Sequence, residues 1–288
     1  MHFKDAKGIL SPHNGMNIYR GCTHGCIYCD SRSVCYQMGH DFEDVQVKAN
    51  APALLEAALR KKREKCMIST GSMCDSYIAA EQELRHTRKC LEIIEKYGFG
   101  LSILTKSDLI LRDMDVLSAI NKKARCVVQM TLTTYDEDLC RLIEPNVSTT
   151  AERFRALKAF RDAGIPTVVW LCPILPFIND TADNMRGLLN YCIEAGAKGV
   201  LAWGAGVTLR EGSREYFYQK LDEKFPGLSK KYHHKYGYAY GIRSDNNTEI
   251  KHMITQTCSK NGIIYGRHEV FKYISHFPQE HDEQIGLF

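Results

Sequence analysis

Three cysteines lie close together near the start of the chain, in the stretch RGCTHGCIYCDSR. Cys22 and Cys26 are separated by three residues, and Cys26 and Cys29 by two. Three thiolates are one ligand short of the closed tetrahedral site that structural zinc prefers. A compact loop of cysteines is also typical of an iron–sulfur cluster, in which an iron without a protein ligand would be open to a substrate or cofactor. Ligand count alone leaves zinc and an iron–sulfur cluster as alternatives, while Gly21 and Gly25 would let the short loop bend.

A regular alternation of strands and helices is predicted to position this loop. Short apolar stretches, typical of buried parallel strands, alternate with amphipathic stretches, typical of helices. The predicted strands cover residues 15–20, 66–70, 101–106, 125–133, 166–175 and 199–204. The predicted helices cover residues 51–65, 81–98, 112–124, 150–164, 181–196 and 248–262.

This pattern predicts an α/β fold in which right-handed crossovers curl a parallel sheet into a partial (β/α)6 TIM-like barrel. Residues 1–209 would form the barrel, and residues 210–288 a small C-terminal extension that closes it and ends in an exposed tail. The active site of a barrel lies at the carboxyl ends of its strands. Because the cysteine loop directly follows the first predicted strand, we expect it at that end.

The composition is that of an ordinary globular protein, with 44% hydrophobic and 25% charged residues among 288. No apolar run approaches the roughly 20 residues that span a bilayer, and no signal-peptide pattern opens the chain. We therefore expect a cytoplasmic protein without a membrane partner. Most of the twelve cysteines are single and lie in apolar stretches, which suits a reducing cytosol. The net charge of +4 permits a nucleic-acid partner without indicating one.

The spacing C-x3-C-x2-C, with Tyr28 before the last cysteine, resembles the cluster motif of the radical S-adenosylmethionine (SAM) superfamily. Five further stretches are similar, in order between about residues 15 and 205, to the spore photoproduct lyase-related group: GSMCDSY, LTKSDLILRDMDVL, IEPNVST, AGIP and PILPFIND. The resemblance implies that Cys22, Cys26 and Cys29 hold a [4Fe-4S] cluster whose fourth iron is chelated by the methionine part of SAM. One electron would then cleave SAM reductively, and the resulting 5′-deoxyadenosyl radical would abstract a hydrogen atom from the substrate.

The resemblance also implies cofactor contacts at or near the carboxyl ends of the strands. The candidate residues, besides Tyr28, are Ser69, Thr70, Gly71, Lys106, Thr131, Thr133, Trp170, Ala202 and Trp203. The first three would meet the amino group of SAM, the lysine its carboxylate through a charge-assisted contact, the threonines its ribose, and the last three its adenine. The chain has Thr-Gly-Ser where the superfamily commonly has Gly-Gly-Glu, so backbone and hydroxyl groups would make the first contacts. The alternative for each residue is packing at a strand end.

Cys74 lies in the stretch GSMCDSY, where spore photoproduct lyases carry a hydrogen-donating cysteine. It is therefore a candidate catalytic hydrogen-atom donor, and the alternative is one more structural thiol in a cysteine-rich chain. Asp75, Tyr77 and Glu81 resemble the Asp-Pro-Tyr…Glu pattern of the same group, with Ser76 in place of the proline. The alternative for Glu81 is an acid favoured at the start of a helix.

Residues 230–243, KKYHHKYGYAYGIR, interleave tyrosines with basic residues. Aromatic rings stack on bases while cations hold phosphates, so this stretch predicts a nucleic-acid groove. The alternative is a strand or loop that closes the barrel.

The last five residues, QIGLF, resemble the Gln-Leu-Ser-Leu-Phe peptide by which bacterial DNA-processing proteins dock on the replication sliding clamp. Gln284, Leu287 and Phe288 match that peptide, whereas Gly286 departs from it. The alternative is a tail that packs onto its own barrel.

Three functional hypotheses follow from these observations. In the first, a radical SAM enzyme with a lyase-like activity acts on DNA, as in spore photoproduct repair, and takes its electron from a donor such as ferredoxin or flavodoxin. In the second, the same chemistry modifies a peptide or RNA. In the third, a non-catalytic zinc-binding or clamp-associated protein keeps only the three cysteines.

Overall fold

The computed structural model describes residues 1–278 of the chain. Gln284, Leu287 and Phe288 lie outside the described residues, so the sliding-clamp hypothesis stays a prediction. Within residues 1–278 we find no helix whose length and hydropathy together match those of a membrane span.

Short strands and longer helices alternate along most of the described chain. The strands are β1 (His2–Lys4), β2 (Gly15–Met16), β3 (Tyr19–Arg20), β4 (Gln46–Lys48), β5 (Met67–Thr70), β6 (Gly100–Thr105), β7 (Cys126–Thr131), β8 (Thr167–Trp170), β9 (Gly199–Leu201), β10 (Gly206–Thr208), β11 (Gly241–Arg243) and β12 (Ile264–Tyr265). The helices are α1 (Ala51–Lys61), α2 (Glu81–Leu84), α3 (His86–Lys96), α4 (Met114–Lys123), α5 (Glu137–Ile143), α6 (Thr150–Asp162), α7 (Ala182–Glu194), α8 (Ser213–Lys224), α9 (Leu228–Tyr236), α10 (Asn247–Lys260) and α11 (Arg267–Ser275). Three 3-10 turns cover Asp30–Arg32, Val34–Tyr36 and Asp108–Asp113.

Within the described residues, seven parallel strands form the main sheet, in the order β12-β9-β8-β7-β6-β5-β2. A separate three-stranded sheet has the order β1-β4-β3, and the cysteine loop lies between β3 and β4 in the sequence. Strand β10 pairs antiparallel with β11. The predicted α/β class with a parallel sheet is confirmed. All seven carboxyl ends lie at one edge of the sheet, because the strands are parallel.

The local sequence explains why the helices cover this sheet. On α3, the buried side chains follow helical spacing at Thr87, Cys90, Leu91 and Ile94, so one stripe faces the core. The start of α6 is fixed by a capping box, in which Thr149 and Glu152 exchange side-chain and backbone hydrogen bonds of 3.3 and 2.7 Å. Strands β6 and β7 are buried almost throughout, as expected for central strands of a parallel sheet that is covered on both faces.

The helix predicted over residues 81–98 is interrupted. Arg85 has a left-handed backbone conformation, with φ of 52°, and separates α2 from α3. The Glu81 carboxylate accepts a hydrogen bond of 2.9 Å from the backbone N–H of Thr87, in the first turn of α3. Glu81 thus satisfies a backbone donor at the start of α3, while its own helix is a single turn.

Residues beyond 205 hold most of the structure that the sequence did not predict. Helices α8 and α9 and the β10–β11 pair fill the stretch between residues 206 and 243, and β12 adds a seventh strand to the main sheet beside β9. The predicted boundary between residues 209 and 210 stays a prediction. A second apolar cluster joins the cysteine loop to this later part, since Ile27 and Tyr28 pack with Phe217, Tyr232 and Ile242.

Candidate active site

Glycines shape the backbone around the cysteine loop. Gly21 and Gly25 have φ of 88° and 69°, in the left-handed region that favours glycine. A Cβ on Gly21 would lie 2.4 Å from the carbonyl oxygen of Phe42, which accepts the N–H of Cys22 at 3.0 Å. A Cβ on Gly71 would lie 1.8 Å from the carbonyl oxygen of Leu104. The cysteine loop and the turn after β5 therefore both require glycine to reach their positions.

The three cysteines line one small cavity of about 70 Å³, together with Gly71 and Lys106. Among residues 1–278, no group of three potential ligand atoms that lie within 4.8 Å of one another includes these thiols. A tetrahedral zinc ion, with Zn–S bonds of about 2.3 Å, would hold its sulfur ligands roughly 3.8 Å apart. The thiols are thus spread too widely for one ion and surround a larger space, which fits an iron–sulfur cube better than zinc.

The charge state of the thiols also suits a metal cluster. Burial raises the pKa of Cys26 and of Cys29. A hydrogen bond with the Cys74 thiol lowers the pKa of Cys22 to about 6, against the effect of burial. Buried thiols become thiolates readily when a bound metal supplies positive charge, so this donor set is matched to a cationic cluster.

A fully buried network holds the cysteine loop from behind. The hydroxyl of Tyr28 donates to the Glu144 carboxylate, which also accepts from Arg153 Nη2 at 2.5 Å. Arg153 Nη1 donates to the carbonyl oxygen of Thr131, at the end of β7, at 2.7 Å. Burial raises the pKa of Glu144, but the charges of Arg153 and Lys106 outweigh it and hold the pKa below its ordinary value. The network therefore ties the loop to α6 and to the end of a central strand.

A second network, centred on Asp75, connects the turn after β5 with the end of β6. Its carboxylate accepts from the Thr105 hydroxyl and the backbone N–H of Lys106, both at 2.7 Å. It also accepts from the backbone N–H of Tyr77 at 2.8 Å, and His24 Nε2 lies 3.0 Å away. Burial raises the pKa of Asp75, but His24 and these donors lower it to about 2. Asp75 thus fixes one residue of the cysteine loop and the backbone of the candidate cofactor lysine.

Lys106 places a positive charge at the small cavity. In the described part of the chain its ammonium group makes no hydrogen bond or ion pair with a protein group. Burial lowers its pKa, but Cys26, Glu144, Asp75 and Cys29 raise it to about 12. A permanently charged ammonium that faces a cavity without a partner is suited to an anionic group such as the carboxylate of a cofactor.

A larger cavity, of about 780 Å³, adjoins the small one at the carboxyl ends of the strands. Of the predicted cofactor residues, it is lined by Tyr28, Gly71, Lys106, Thr131, Trp170 and Trp203. The two cavities share Tyr28, Cys29 and Lys106. A bound molecule could therefore extend from the cysteine loop into the large cavity without leaving the protein.

Four predicted cofactor residues lie elsewhere. Ser69, Thr70, Thr133 and Ala202 are not among the residues that line the large cavity. The hydroxyl of Thr70 pairs with that of Ser76 at 2.9 Å, and Thr133 is fully buried. Their contact with a cofactor stays a prediction.

Cys74 lies beside the cysteine loop. Its thiol donates to the carbonyl oxygen of Gly21 at 2.6 Å, and it lines the small cavity rather than the large one. Its role as a hydrogen-atom donor stays a prediction.

The basic, aromatic stretch over residues 230–243 divides between core and surface. Tyr232 is fully buried, and its hydroxyl donates to the carbonyl oxygen of Pro176 at 2.5 Å. Tyr236 and Arg243 line the large cavity, whereas Tyr238 is 82% exposed. This stretch thus supplies part of the cavity wall as well as exposed rings and charges beside it.

Sequence reasoning missed the role of Arg153 and the part of the cavity wall built by residues 204–208. A signal for Arg153 is present in the helical periodicity. It falls on the stripe of α6 that also carries Phe154, Leu157 and Phe160, so a charged residue is placed among core positions. The signal for this part of the wall is Gly206, because only glycine permits the close approach to β11: a Cβ on Gly206 would lie 2.2 Å from the carbonyl oxygen of Ile242.

Two curated relatives share a substantial part of the sequence. An uncharacterized protein of Mycobacterium tuberculosis (strain ATCC 25618 / H37Rv) is 31% identical over 229 residues, which cover 77% of this chain and 66% of the relative. An uncharacterized protein of Methanocaldococcus jannaschii is 36% identical over 167 residues, which cover 57% of this chain and 61% of the relative. The matches thus span just under two thirds of the relatives' own lengths.

Solved structures of spore photoproduct lyase have the same fold. A variant of that enzyme superimposes with a TM-score of 0.65 at 14% identity, covering 92% of this chain and 80% of its own. The enzyme complexed with dinucleoside spore photoproduct gives a TM-score of 0.61 at 14% identity, covering 86% and 74%. At this level of identity the likeness concerns the fold.

The sequence pattern of the Radical SAM superfamily matches residues 16–189, which is more than half of the chain. The matched part contains the three cysteines, Lys106 and strands β3 to β8. The chain therefore belongs to the radical SAM superfamily, whose enzymes use a [4Fe-4S] cluster and SAM as cofactors.

Proposed function

We propose that this radical SAM enzyme acts on DNA, in a repair reaction similar to that of spore photoproduct lyase. The observation that carries the proposal is the large cavity, which opens from the cysteine loop and has aromatic and cationic residues at its wall. When bound, the cluster and SAM supply one-electron chemistry that ends in hydrogen-atom abstraction from a substrate. The residues of the chain then have to bind these groups, orient them and exclude water.

In this proposal Cys22, Cys26 and Cys29 hold the cluster, because their thiols surround the small cavity. Lys106 binds the carboxylate of SAM, since its ammonium is buried, charged and free of protein partners in the described residues. Asp75 acts as a positioning residue, because it holds the backbone of Lys106 at 2.7 Å.

The size of the large cavity suits a cofactor and part of a second molecule. Ligand cavities in proteins range from about 300 to 1,000 Å³, and this one has about 780 Å³. Trp170 is held in its wall by a hydrogen bond of 2.8 Å from its indole Nε1 to Gln129. Trp203 is 49% exposed, which leaves a ring available for stacking by a base.

The charges around the cavity favour a polyanion. Arg243 lines it, and the Arg267 guanidinium lies 5.2 Å from the centre of the Trp203 ring. The acidic residue Asp30, also on the lining, is 3.5 Å from Arg210 and therefore compensated. Cations interleaved with aromatic rings hold phosphates and bases together. Support for DNA comes from the shared fold with a spore photoproduct lyase complexed with dinucleoside spore photoproduct.

The experiment is turnover under anaerobic conditions. The chain is reconstituted with iron and sulfide, given SAM and a one-electron reductant, and incubated with oligonucleotides that contain spore photoproduct or no lesion. A ferredoxin or flavodoxin would serve as the natural electron donor and can replace the chemical reductant in a second assay. We expect 5′-deoxyadenosine and repaired thymines only with the damaged strand, and neither product with the Cys29→Ala variant.

One outcome of this experiment would contradict DNA as the substrate. If 5′-deoxyadenosine forms but the damaged oligonucleotide remains unchanged, the enzyme is a radical SAM enzyme with another substrate. Parallel incubations with RNA and with peptides then identify which of the other substrate classes stimulates cofactor cleavage.

A further inference from the structure

Two histidines and one aspartate converge beside the cysteine loop. His2 lies on β1, while His40 and Asp44 lie in the segment between the cysteine loop and β4. The ligand atoms that these three side chains offer all lie within 4.8 Å of one another. His2 Nδ1 is 2.9 Å from Asp44 Oδ2, and the two imidazole rings meet edge to face with centroids 4.8 Å apart. Two imidazoles and a carboxylate form a common ligand set for zinc and related divalent ions.

The hydrogen bonding of His40 leaves one nitrogen available. Its Nδ1 lies 3.0 Å from the backbone carbonyl oxygen of Asp41, so Nδ1 is placed to donate. Its Nε2 is shielded from solvent and has no hydrogen-bond partner within residues 1–278. Histidines that bind metals commonly donate their other N–H to a backbone carbonyl, which directs a lone pair at the ion. A shielded nitrogen without a partner is also costly, and a bound cation would remove that cost.

The charges at Asp44 are compatible with a cation at this place. The amino group of Met1 lies 2.6 Å from Asp44 Oδ1, while Oδ2 faces His2. One carboxylate oxygen thus already holds a cationic amino group and the other faces an imidazole nitrogen, and a divalent ion would bind in place of the amino group.

We propose that His2, His40 and Asp44 bind one divalent transition-metal ion, best matched by zinc, at a site separate from the cysteine loop. The site has a structural consequence for the active site. Phe42 lies between two of the ligands in sequence, and its carbonyl oxygen accepts the N–H of Cys22 at 3.0 Å. A bound ion would therefore fasten β1 to the segment that positions the first cluster cysteine. Zinc in a purified preparation would then not indicate a zinc-filled cysteine loop.

The test uses the full chain with a histidine-free tag at the C-terminus. In one variant Cys22, Cys26 and Cys29 are all replaced by alanine, so that zinc cannot bind to the cysteine loop. Zinc per chain is measured by mass spectrometry after dialysis, and affinity by competition with a chromophoric chelator. We expect this variant to bind one zinc ion, and the additional change His40→Ala to weaken binding by roughly 100-fold or more. The matched control is His13→Ala, because His13 is exposed and near the same end of the chain.

A second variant keeps the test decisive if His40→Ala does not fold. Asp44→Asn preserves the side-chain shape but removes the charged ligand. Zinc should raise the melting temperature of the chain that lacks the three loop cysteines, because a ligand that binds the native state stabilises it, and should not raise that of its Asp44→Asn form. The proposal is overturned if the chain that lacks the three loop cysteines binds no zinc, or if either substitution leaves zinc binding equal to that of the His13→Ala control.

Discussion

The guanidinium of Arg153 lies 2.5 Å from the Glu144 carboxylate, and both side chains are completely buried. Glu144 also accepts the Tyr28 hydroxyl, and Arg153 reaches the carbonyl oxygen of Thr131. One ion pair therefore connects the cysteine loop with the carboxyl end of β7. Because a charge in the interior is tolerated only when it is paired and hydrogen-bonded, each partner depends on the other.

Replacing Arg153 by methionine should destabilise the protein strongly. The change leaves the Glu144 carboxylate buried without its partner, and breaking such a pair costs about 3–5 kcal/mol. Urea unfolding of the metal-free, reduced chain measures the free energy of unfolding. The control is Arg155→Met on the same helix, whose side chain is 68% exposed and 3.9 Å from Glu152. Equal losses in the two variants would contradict the role assigned to the buried pair.

Much of the sheet could be predicted from the sequence, because its strands are short apolar runs separated by amphipathic helices. The strand predicted over residues 66–70 begins one residue before β5, and the strand predicted over residues 101–106 is shifted by one residue relative to β6. Strand β12 could not be predicted in this way. It has only two residues, too few for a periodic pattern, and it pairs with Gly199 and Val200 of β9, which are far away in sequence.

The candidate site was predictable where it depends on strand ends. Lys106, Thr131 and Trp170 end or follow neighbouring parallel strands, and all three line the large cavity. Thr133 illustrates the limit of this reasoning. The chain leaves the strand after Thr131, and the Thr133 carbonyl oxygen accepts a hydrogen bond of 2.7 Å from Asn179. Beyond a strand end, the direction of a side chain depends on such tertiary contacts. The alternation of buried and exposed residues along a strand gives no information about them.

Alanine at any one of Cys22, Cys26 and Cys29 should abolish the cluster, because three thiolates are the whole protein contribution. Cys35→Ala should leave it intact, since that thiol is exposed and lies 3.5 Å from Arg210. Iron content and the absorbance at about 400 nm after anaerobic reconstitution report the cluster. Loss of iron in the Cys35 variant would show that the ligand set is wrong.

Asp75→Asn should destabilise the protein in a manner that depends on pH. The pKa of Asp75 is lowered from 3.8 to about 2, so its contribution is present above about pH 4 and is lost as the pH falls towards 2. The pKa of His24 is raised above 6.5, so the paired histidine contributes below that pH and is lost as the pH rises further. The stability difference from the parent should therefore be largest between about pH 4 and pH 6.5, at about 2 kcal/mol.

Urea unfolding between about pH 3 and pH 8 measures this difference. The control is Asp138→Asn, since the Asp138 side chain is 97% exposed. A stability difference for Asp75→Asn that stays constant with pH would contradict the pairing with His24.

Lys106→Gln should weaken SAM binding while the iron content stays unchanged. A hydrogen bond to a charged group contributes about 1.5–3 kcal/mol, so we expect roughly a 10- to 100-fold increase in the dissociation constant of SAM. Equilibrium dialysis with the reconstituted protein measures this value. Lys198→Gln serves as the control because Lys198 is exposed and does not line the cavity. Unchanged SAM affinity in the Lys106 variant would exclude the carboxylate contact.

Arg243→Gln should reduce the salt dependence of DNA binding, if the cavity rim holds a phosphate as proposed. Each neutralised phosphate contributes about 0.9 to the slope of log affinity against log salt concentration for duplex DNA, and about 0.7 for a single strand. Fluorescence anisotropy with a labelled oligonucleotide at several salt concentrations yields this slope. Arg186→Gln on α7 is the matched control, because its side chain is 62% exposed and it does not line the cavity. A slope that falls equally in both variants would indicate diffuse attraction to the protein surface, whereas a fall confined to Arg243→Gln places a phosphate beside Trp203 and the large cavity.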